Sequence, residues 1–435
     1  MTDEAVTADR VRLVLLVPDG MADEPVPALG GRTPLEAAAT PAMDRLAAAG
    51  VVGMVTTVPE GLPAGSDVAN LAVLGYDPRA VYTGRAPLEA ASIGVELGPD
   101  DVAFRCNLVT IADGLMADFT ADHVPDAQAA AVMAVLDERL GRGAGDDFEF
   151  YAGVSYRNLL VWRGAGRAAT DVACTPPHDK LDCPADEWLP RGGEAAATLR
   201  DLTVRARPLV AAAGTPATDI WLWGQGTAPR MPALREQRGL DGAVVAAVDL
   251  VKGIGRYAGM EVLDVPGATG DLDTDYGAKG RAALAALERH DLVYVHVEAP
   301  DEAGHMGDAE AKRRAIERVD AEVLAPLLDS PRRPWVLVVP DHHTPLRLRT
   351  HVDWPVPFVY GRAGAGAGAI GGEVDRLTTE TIGGEADGRS GKTTAAAAAA
   401  GFCEAAAAAT GLRLDSGAEL MDRFLAAAGH DPGRS

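Results

Sequence analysis

The feature that most constrains the fold of this 435-residue chain is a pattern that occurs three times. An apolar run, without alternation of apolar and polar residues, leads directly into a loop that carries aspartate or histidine. The runs are VRLVLLVPDG (11–20), DLVYVHVEAPDEAGH (291–305) and PWVLVVPDHHTP (334–345). Such runs predict strands covered on both faces, as in a parallel sheet. Because helical stretches at 277–290 and 308–328 alternate with them, the sequence predicts an α/β fold with a largely parallel sheet between helices.

The middle of the chain has a different pattern. The segment FEFYAGVSYRNLLVWRG (148–164) alternates more nearly as a solvent-facing antiparallel sheet does, and a polar, proline-containing stretch follows it. The chain also exceeds the usual size of a single core. We therefore predict that an α+β domain at 96–240 is inserted between two parts of the α/β domain, at 1–95 and 241–435.

The composition limits the partners that the protein can have. The formal net charge is −23, and such a surface repels nucleic acid and anionic membranes, so neither is an expected partner. No apolar stretch reaches the ~18 residues of a membrane-spanning helix. The N-terminus is acidic and has no apolar core, so we do not expect it to act as a signal sequence, and the four cysteines include no CxxC pair. We expect a cytoplasmic protein with a small-molecule ligand; the sequence does not determine its oligomeric state.

Potential metal ligands follow the three apolar runs. In α/β proteins, ligands gather at the carboxyl ends of the strands. The candidates are Asp19, Asp301, His305, Asp341, His342 and, shortly after the third run, His351. Carboxylate and imidazole groups together suit divalent cations such as Mn²⁺, Zn²⁺ or Mg²⁺. The alternative is that the aspartates cap helices and the histidines lie on the surface, but the same chemistry at three strand ends favours a metal site.

Ser66 lies in AGSDVANL (64–71), between a proline-rich loop and an apolar helical stretch. A serine at such a place is an ordinary helix cap. It is also a suitable nucleophile, because two metal ions ~3.5 to 4 Å apart lower the pKa of a bound hydroxyl and stabilise both oxygens of an in-line phosphoryl transfer. The two interpretations are compatible, since a helix N-terminus also favours a bound phosphate.

Several long segments carry a family resemblance. They are DGMADEP, AGSDVANLAVLGYDP, YTGRAPLEAASIGVEL, VEAPDEAGH, and DHHTP followed by THVDWPVPF. In this order they are similar to the archaeal type of cofactor-independent phosphoglycerate mutase, in the alkaline phosphatase superfamily. The resemblance implies an alkaline-phosphatase-like core, an inserted α+β lid domain that binds the substrate, a phosphoserine intermediate and two metal ions, with Mn²⁺ as the expected metal.

The resemblance also implies which residues serve each function. One metal ion would be held by Asp19, Ser66, Asp341 and His342, and the other by Asp301, His305 and His351. Three cations are expected near the phosphate or carboxylate of the substrate: Arg85, Arg105 and Lys279. His178, in TPPHDKLD (175–182), either contacts the substrate or is an ordinary loop histidine.

One segment departs from the family pattern. Archaeal-type mutases carry an arginine-rich DRRAGR segment, whereas this chain has ADFTADHVPDA at 117–127. In this respect the chain resembles a bacterial subgroup proposed to act as homoserine kinases. The loss of cations predicts weak binding of 3-phosphoglycerate, and Asp118, Asp122 or His123 are candidates to meet an amino group instead.

The predicted function is that of a two-metal phosphoryl transferase, with interconversion of 2- and 3-phosphoglycerate as the principal candidate. Phosphoryl transfer to homoserine and hydrolysis of a small phosphate ester are alternatives at the same site. A non-catalytic metal-binding protein is an alternative of another class. Two glycine patterns are discounted: GxGxxG at 366–371 lies in a Gly-Ala repeat, and the P-loop-like 386–394 follows no buried strand.

Overall fold

The computed structural model describes residues 11–365 and 401–430. They form two compact units: the first consists of the described residues of Met1–Tyr82 and Met231–Ser435, and the second is Thr83–Arg230. Both boundaries of the second unit therefore come earlier in the chain than the predicted 96 and 240. The two discounted glycine patterns lie outside the described residues.

The described residues form both strands and helices. The strands are β1 (Leu13–Pro18), β2 (Val51–Val55), β3 (Val102–Ala112), β4 (Leu115–Asp118), β5 (Phe148–Val154), β6 (Arg157–Trp162), β7 (Asp219–Gly226), β8 (Gly242–Val245), β9 (Glu261–Val262), β10 (Leu292–Val297), β11 (Trp335–Val338), β12 (Val356–Arg362) and β13 (Arg413–Leu414). The α-helices are α1 (Pro34–Ala37), α2 (Pro41–Ala49), α3 (Ser66–Val73), α4 (Pro78–Val81), α5 (Arg85–Ser92), α6 (Asp126–Leu140), α7 (Arg167–Thr170), α8 (Gly193–Ala211), α9 (Leu234–Arg238), α10 (Asp249–Tyr257), α11 (Tyr276–Ala286), α12 (Ala299–Met306), α13 (Ala309–Arg318), α14 (Ala325–Leu328), α15 (Glu404–Ala409) and α16 (Gly417–Ala427).

The first unit is built on an eight-stranded sheet in the order β13-β2-β12-β11-β1-β10-β8-β9. Only β12 runs antiparallel to its neighbours, so the prediction of a largely parallel sheet is confirmed. The three apolar runs of the sequence are the central strands, because β1 pairs with β10 on one side and β11 on the other. Every residue of β1 and β10 is buried, as expected for strands with both faces covered. Their carboxyl ends therefore meet at one edge of the sheet.

Two of the helices around this sheet begin at an aspartate that caps them. The carboxylate of Asp275 accepts a hydrogen bond from the backbone at the start of α11, and that of Asp308 does the same for α13. The helix predicted at 308–328 is interrupted by a π-helical segment, Val319–Leu324. Buried Asp320 in that segment accepts hydrogen bonds from two backbone amides at the start of α2, which explains why an acidic residue occurs in an apolar interface.

The second unit contains a separate antiparallel sheet. Four of its strands lie in the order β4-β3-β6-β5, and the fifth, β7, also pairs with β3. Helices α6 and α8 pack on it around a core that includes Phe104, Leu136 and Leu199. The prediction of antiparallel strands in 148–164 is confirmed by the β5–β6 pair.

The alanine-rich segment TAAAAAAGFCEAAAAATG (394–411) predicts a pair of helices interrupted by glycine, and the structure describes this segment only in part. Of that pair, only α15 falls within the described residues, since 394–400 lie outside them. Among the described helices, none is both long enough and apolar enough to cross a membrane.

Candidate active site

Three buried carboxylates lie beyond the ends of the central strands. Asp19 directly follows β1, Asp301 lies in the first turn of α12 after β10, and Asp341 lies three residues after β11. All three are at most 3% exposed. Because the strands are adjacent and parallel, the fold brings these three carboxyl groups together at one edge of the sheet, at the strand ends where the sequence analysis located candidate ligands.

The first group of potential ligands is Asp301, His305 and His351. Asp301 and His305 are four residues apart on α12 and therefore share a face, with His305 Nε2 at 3.1 Å from Asp301 Oδ2. His351 Nε2 lies 3.4 Å from Asp301 Oδ1 and 3.0 Å from His305 Nε2. The carbonyl of Arg349, 3.0 Å from His305 Nδ1, favours a proton on that nitrogen and a lone pair on Nε2.

The second group lies around His342, which is fully buried. Its Nε2 atom is 3.1 Å from Ser66 Oγ, 3.5 Å from Asp19 Oδ1 and 3.4 Å from Asp341 Oδ2. Thr344 Oγ1 donates a hydrogen bond to Asp301 and lies 3.3 Å from His342 Nδ1. It can therefore accept a hydrogen bond from a protonated Nδ1, which leaves the lone pair on Nε2 available for a metal. Ligand atoms of Asp19, Asp301 and His342 also approach one another within 4.8 Å, so the two groups are contiguous.

Ser66 is the first residue of α3, and the N-cap is Gly65. The Ser66 side chain makes no capping hydrogen bond. The helix-cap interpretation is therefore wrong in detail, because the chain enters the helix through the extended backbone of Gly65. The Ser66 hydroxyl instead faces the second group of ligands.

The electrostatics of the second group match a cation site. Burial, and then the charge of Asp341, raise the pKa of Asp19 well above its ordinary value. Both Asp19 carboxylate oxygens are buried and lack a hydrogen-bond partner among the described residues. Burial also lowers the pKa of His342 to about 4, which keeps its imidazole neutral, as a metal ligand must be. Buried carboxylates of this kind are stable when cations or donors neutralise them.

In the first group, hydrogen bonds rather than burial determine the direction of the pKa shifts. Burial alone would raise the pKa of Asp301, but hydrogen bonds from His305 and His351 outweigh it and hold that pKa well below its ordinary value. Burial would likewise lower the pKa of His305, whereas the hydrogen bond to Asp301 raises it to about 9. In the absence of metal, a proton on His305 therefore balances the Asp301 charge, and a divalent cation would replace that proton.

The structure also brings together two residues that the sequence did not single out, His296 and Glu298. His296 is fully buried, and its Nε2 atom lies 2.9 Å from Asp19 Oδ2, although the groups are not aligned for a hydrogen bond. Glu298 Oε2 lies 3.8 Å from His296 Nδ1, and burial, followed by the charge of Asp301, raises the pKa of Glu298 to about 7. The sequence signal that could have identified them is VHVE (295–298), where His296 and Glu298 alternate with valines at the end of an otherwise apolar run.

Lys279 is placed differently from the expectation. It is fully buried, and its Nζ atom donates to the backbone carbonyls of Thr269 and His296, at 3.2 Å each. Burial lowers its pKa to about 8. These contacts indicate that Lys279 secures the end of β10, a role that the expectation of substrate contact did not include.

Arg85 and Arg105 come together in the second unit around Glu89. Arg85 Nε lies 3.0 Å from Glu89 Oε1, and Arg105 Nε lies 2.9 Å from Oε2. Burial would raise the pKa of Glu89, but the charges of Arg105 and Arg85 lower it. The Arg105 guanidinium stacks 4.3 Å above the ring of Trp223. The charge of Arg157, a residue that the sequence did not single out, also acts on this group.

His178 approaches the same group from a 3₁₀ turn, Pro177–Lys180. Its ring lies 5.5 Å from that of Trp223, whose indole Nε1 donates to Asn107. Trp223 thus contacts both Arg105 and His178. The substrate contact and the loop interpretation of His178 both remain predictions.

The segment at 117–127 forms a tight left-handed turn. Ala121, Asp122 and His123 have φ values of 48°, 53° and 48°. Asp118 stabilises the turn, because its carboxylate accepts hydrogen bonds from the Thr120 amide and hydroxyl and from the Asp122 amide. Asp118 is therefore engaged within its own loop, which does not favour the hypothesis that it binds an amino group.

Gly20 provides a test of how tightly the ligand groups are packed. Its φ is +57°, and a Cβ atom there would overlap the Thr344 hydroxyl and the Asp301 carboxylate. We expect Gly20→Ala to weaken metal binding by about 10- to 100-fold, the range seen when groups that orient ligands are disturbed. Calorimetric titration of the metal-free protein with Mn²⁺ measures this change.

The matched control for Gly20→Ala is Gly30→Ala. Gly30 has a similar φ of +69°, but no described atom lies within 4 Å of its added Cβ. It therefore incurs the left-handed backbone strain of about 1–2 kcal/mol without displacing a ligand. Equal metal affinities of the two variants would show that the position of Asp301 is not critical.

Comparison with known proteins gives consistent matches. A sequence model of the family described as 2,3-bisphosphoglycerate-independent phosphoglycerate mutase matches residues 47–213. The chain is 52% identical over 370 residues to 2,3-bisphosphoglycerate-independent phosphoglycerate mutase 2 of Methanothermobacter thermautotrophicus, covering 82% of this chain and 90% of that one. It is 46% identical over 432 residues to a probable 2,3-bisphosphoglycerate-independent phosphoglycerate mutase of Geobacter sulfurreducens, covering 95% and 100%.

Solved structures with the same fold include two archaeal proteins. The PH0037 protein from Pyrococcus horikoshii has a TM-score of 0.75 at 25% identity, covering 97% of this chain and 98% of that one. The cofactor-independent phosphoglycerate mutase from Thermoplasma acidophilum has a TM-score of 0.61 at 25% identity, covering 96% and 100%. The predicted similarity to a homoserine kinase subgroup finds no support in these matches.

Proposed function

Because the chain belongs to the 2,3-bisphosphoglycerate-independent phosphoglycerate mutases, we propose that it interconverts 2- and 3-phosphoglycerate through a phosphoserine formed on Ser66. The observation that carries the proposal is the position of the Ser66 hydroxyl, 3.1 Å from His342 Nε2 and beside buried carboxylates. A serine at the N-terminus of α3 also lies where backbone amides favour the charge of a phosphoryl group.

The proposed reaction is a pair of phosphoryl transfers. In the first, the Ser66 hydroxyl loses its proton and a bond forms between Oγ and phosphorus while the bond from phosphorus to the glycerate oxygen breaks, and that oxygen gains a proton; Ser66 regains its proton when the second transfer releases it. In the second, the other glycerate hydroxyl loses its proton and attacks phosphorus, which releases Ser66. The glycerate must stay bound between the steps, so its binding groups have to hold it without blocking its rotation.

We propose that the two ligand groups are divalent metal sites. Asp19, Ser66, Asp341 and His342 would hold one ion, and Asp301, His305 and His351 the other. A pair of such ions lowers the pKa of a bound hydroxyl and offsets the negative charge of the phosphoryl group. The mixed oxygen and nitrogen donors support Mn²⁺, with Zn²⁺ or Mg²⁺ as alternatives. We also propose a cytoplasmic location, with the small phosphorylated metabolite as the binding partner.

Phosphorus NMR tests the function directly. Purified protein loaded with Mn²⁺ is incubated with 3-phosphoglycerate, and separately with ATP and homoserine. We expect the signal of 2-phosphoglycerate to grow in the first sample and no phosphohomoserine in the second. Release of inorganic phosphate alone, or phosphorylation of homoserine alone, would replace the mutase proposal with one of the alternatives.

The same assay tests the sequence-based prediction of weak 3-phosphoglycerate binding. The segment at 117–127 lacks the arginines of the family pattern, and the prediction requires that no other cation compensates. A kcat/KM of ~10⁵ M⁻¹s⁻¹ or more would contradict it and leave an efficient mutase.

We further propose that Arg85 and Arg105 bind the anionic end of the substrate. Arg105→Met is then expected to raise KM about 10- to 100-fold, because a charge-assisted hydrogen bond is worth roughly 1.5–3 kcal/mol and each ~1.4 kcal/mol is a factor of ten. Arg142→Met is the control. Arg142 belongs to the same unit and, like Arg105, forms an ion pair with a carboxylate, that of Asp137, and packs over an aromatic ring, that of Tyr151. Similar KM values for both variants would exclude a role of Arg105 in binding.

A further inference from the structure

Asn70 lies one helical turn after Ser66 on α3 and is fully buried. Its side chain makes three hydrogen bonds. Nδ2 donates to the backbone carbonyl of Ser66 at 2.8 Å and to Asp341 Oδ2 at 2.9 Å. Oδ1 accepts from the hydroxyl of Tyr294, a fully buried residue on β10. One amide thus joins the helix that carries Ser66, the loop that carries Asp341 and a central strand.

The chemistry of this position selects asparagine. Two acceptors face Nδ2 and one hydroxyl donor faces Oδ1, so the orientation of the amide is determined by its partners. An aspartate here has no proton to donate to Asp341, and a leucine of similar size satisfies none of the three groups. A glutamine places its amide one methylene farther from α3.

The contacts of Asp341 show that the side-chain amide of Asn70 determines the orientation of the Asp341 carboxylate. Asp341 Oδ1 accepts from the backbone amides of Gly20 at 3.1 Å and of His342 at 3.0 Å. Oδ2 is the oxygen that approaches His342 Nε2, and Asn70 is its hydrogen-bond donor. Asn70 therefore sets the rotation of the Asp341 carboxylate, while its bond to the Ser66 carbonyl secures the first turn of α3.

We propose that Asn70 is a positioning residue that holds the Ser66 nucleophile and the Asp341 carboxylate in a fixed relation, with Tyr294 as its anchor. The proposal rests on the proposed function, because that function assigns Ser66 and Asp341 their roles. Asn70 is not in contact with the reacting atoms; it acts through its two partners.

Asn70→Leu is the principal test. We expect kcat for 3-phosphoglycerate to fall about 10- to 100-fold and Mn²⁺ affinity to fall by a similar factor, the range for residues that orient metal ligands. KM is expected to stay within about twofold, because substrate-binding residues are unchanged. The wild-type protein is tested in parallel for phosphorylation of Ser66 by the substrate. If Ser66 of the wild type is never phosphorylated, the proposed function fails. If it is phosphorylated, and the folded Asn70→Leu variant keeps the wild-type kcat and Mn²⁺ affinity, the proposed role of Asn70 is overturned.

A second pair of variants decides the matter even where Asn70→Leu does not fold. Tyr294→Phe removes only the hydroxyl that anchors Asn70, and Tyr276→Phe is its control. Tyr276 is also fully buried in the first unit, and its hydroxyl donates to a backbone carbonyl, that of Leu272, at 3.2 Å. We expect Tyr294→Phe to lower kcat and Mn²⁺ affinity about 3- to 10-fold, as for one buried hydrogen bond, and Tyr276→Phe to change neither. Identical values for the two variants overturn the proposal.

Discussion

Ser66→Ala is expected to lower kcat by about 10⁴-fold or more, because loss of a covalent nucleophile removes the reaction path itself. The fold should persist, since the Ser66 side chain does not cap α3 and the one hydrogen bond of its hydroxyl among the described residues is with His342. Metal binding should weaken but remain, because the other proposed ligands are intact. Steady-state kinetics and metal analysis of the purified variant measure both quantities.

The control for this variant is Ser330→Ala. Ser330 is also a buried serine of the first unit, but it precedes β11 and so lies at the opposite end of that strand from Asp341. Its replacement should leave kcat unchanged. If Ser66→Ala keeps more than a few per cent of wild-type kcat, Ser66 is not the phosphoryl acceptor.

Removal of metal should have an effect nearly as large. Treatment with EDTA is expected to abolish turnover, and added Mn²⁺ should restore it, because the buried carboxylates need cations to bind a phosphorylated substrate. His342→Ala should lower kcat about 10³-fold or more, because it removes several kcal/mol of charge stabilisation in the transition state. Each ~1.4 kcal/mol corresponds to a factor of ten in rate. Metal content per chain, measured by mass spectrometry, should fall in parallel.

His290→Ala is the matched control for the metal prediction. Its side chain contacts Glu261 at 2.7 Å, before the start of β10, and it belongs to neither ligand group. Its metal content and kcat should equal those of the wild type. A fully active metal-free preparation would contradict the two-metal assignment.

The central strands and their ligands were predictable from the sequence because both signals are local. An unbroken apolar run indicates a strand covered on both faces, and the residues just after such strands lie at one edge of a parallel sheet. Asp19, Asp301 and Asp341 were found in this way. The family resemblance then separated the potential ligands into two groups.

Residues whose roles depend on distant partners were missed or misread. His296 lies inside an apolar strand, where a histidine resembles an ordinary core residue. Asn70 gains its meaning only from Asp341 and Tyr294, which are more than 200 positions away in the chain. Lys279 was expected at the substrate as one of the cations that the family resemblance implies there, yet its amino group donates to two backbone carbonyls in the interior.

The most direct test of phosphoryl transfer through Ser66 is rapid mixing of the Mn²⁺-loaded protein with 3-phosphoglycerate, acid quenching and mass spectrometry of the proteolytic peptides. We predict a phosphoryl group on the peptide that contains Ser66, formed only with substrate present and at a rate at least equal to kcat. Turnover to 2-phosphoglycerate with Ser66 unmodified throughout, or with the phosphoryl group on another residue, would contradict the proposed mechanism.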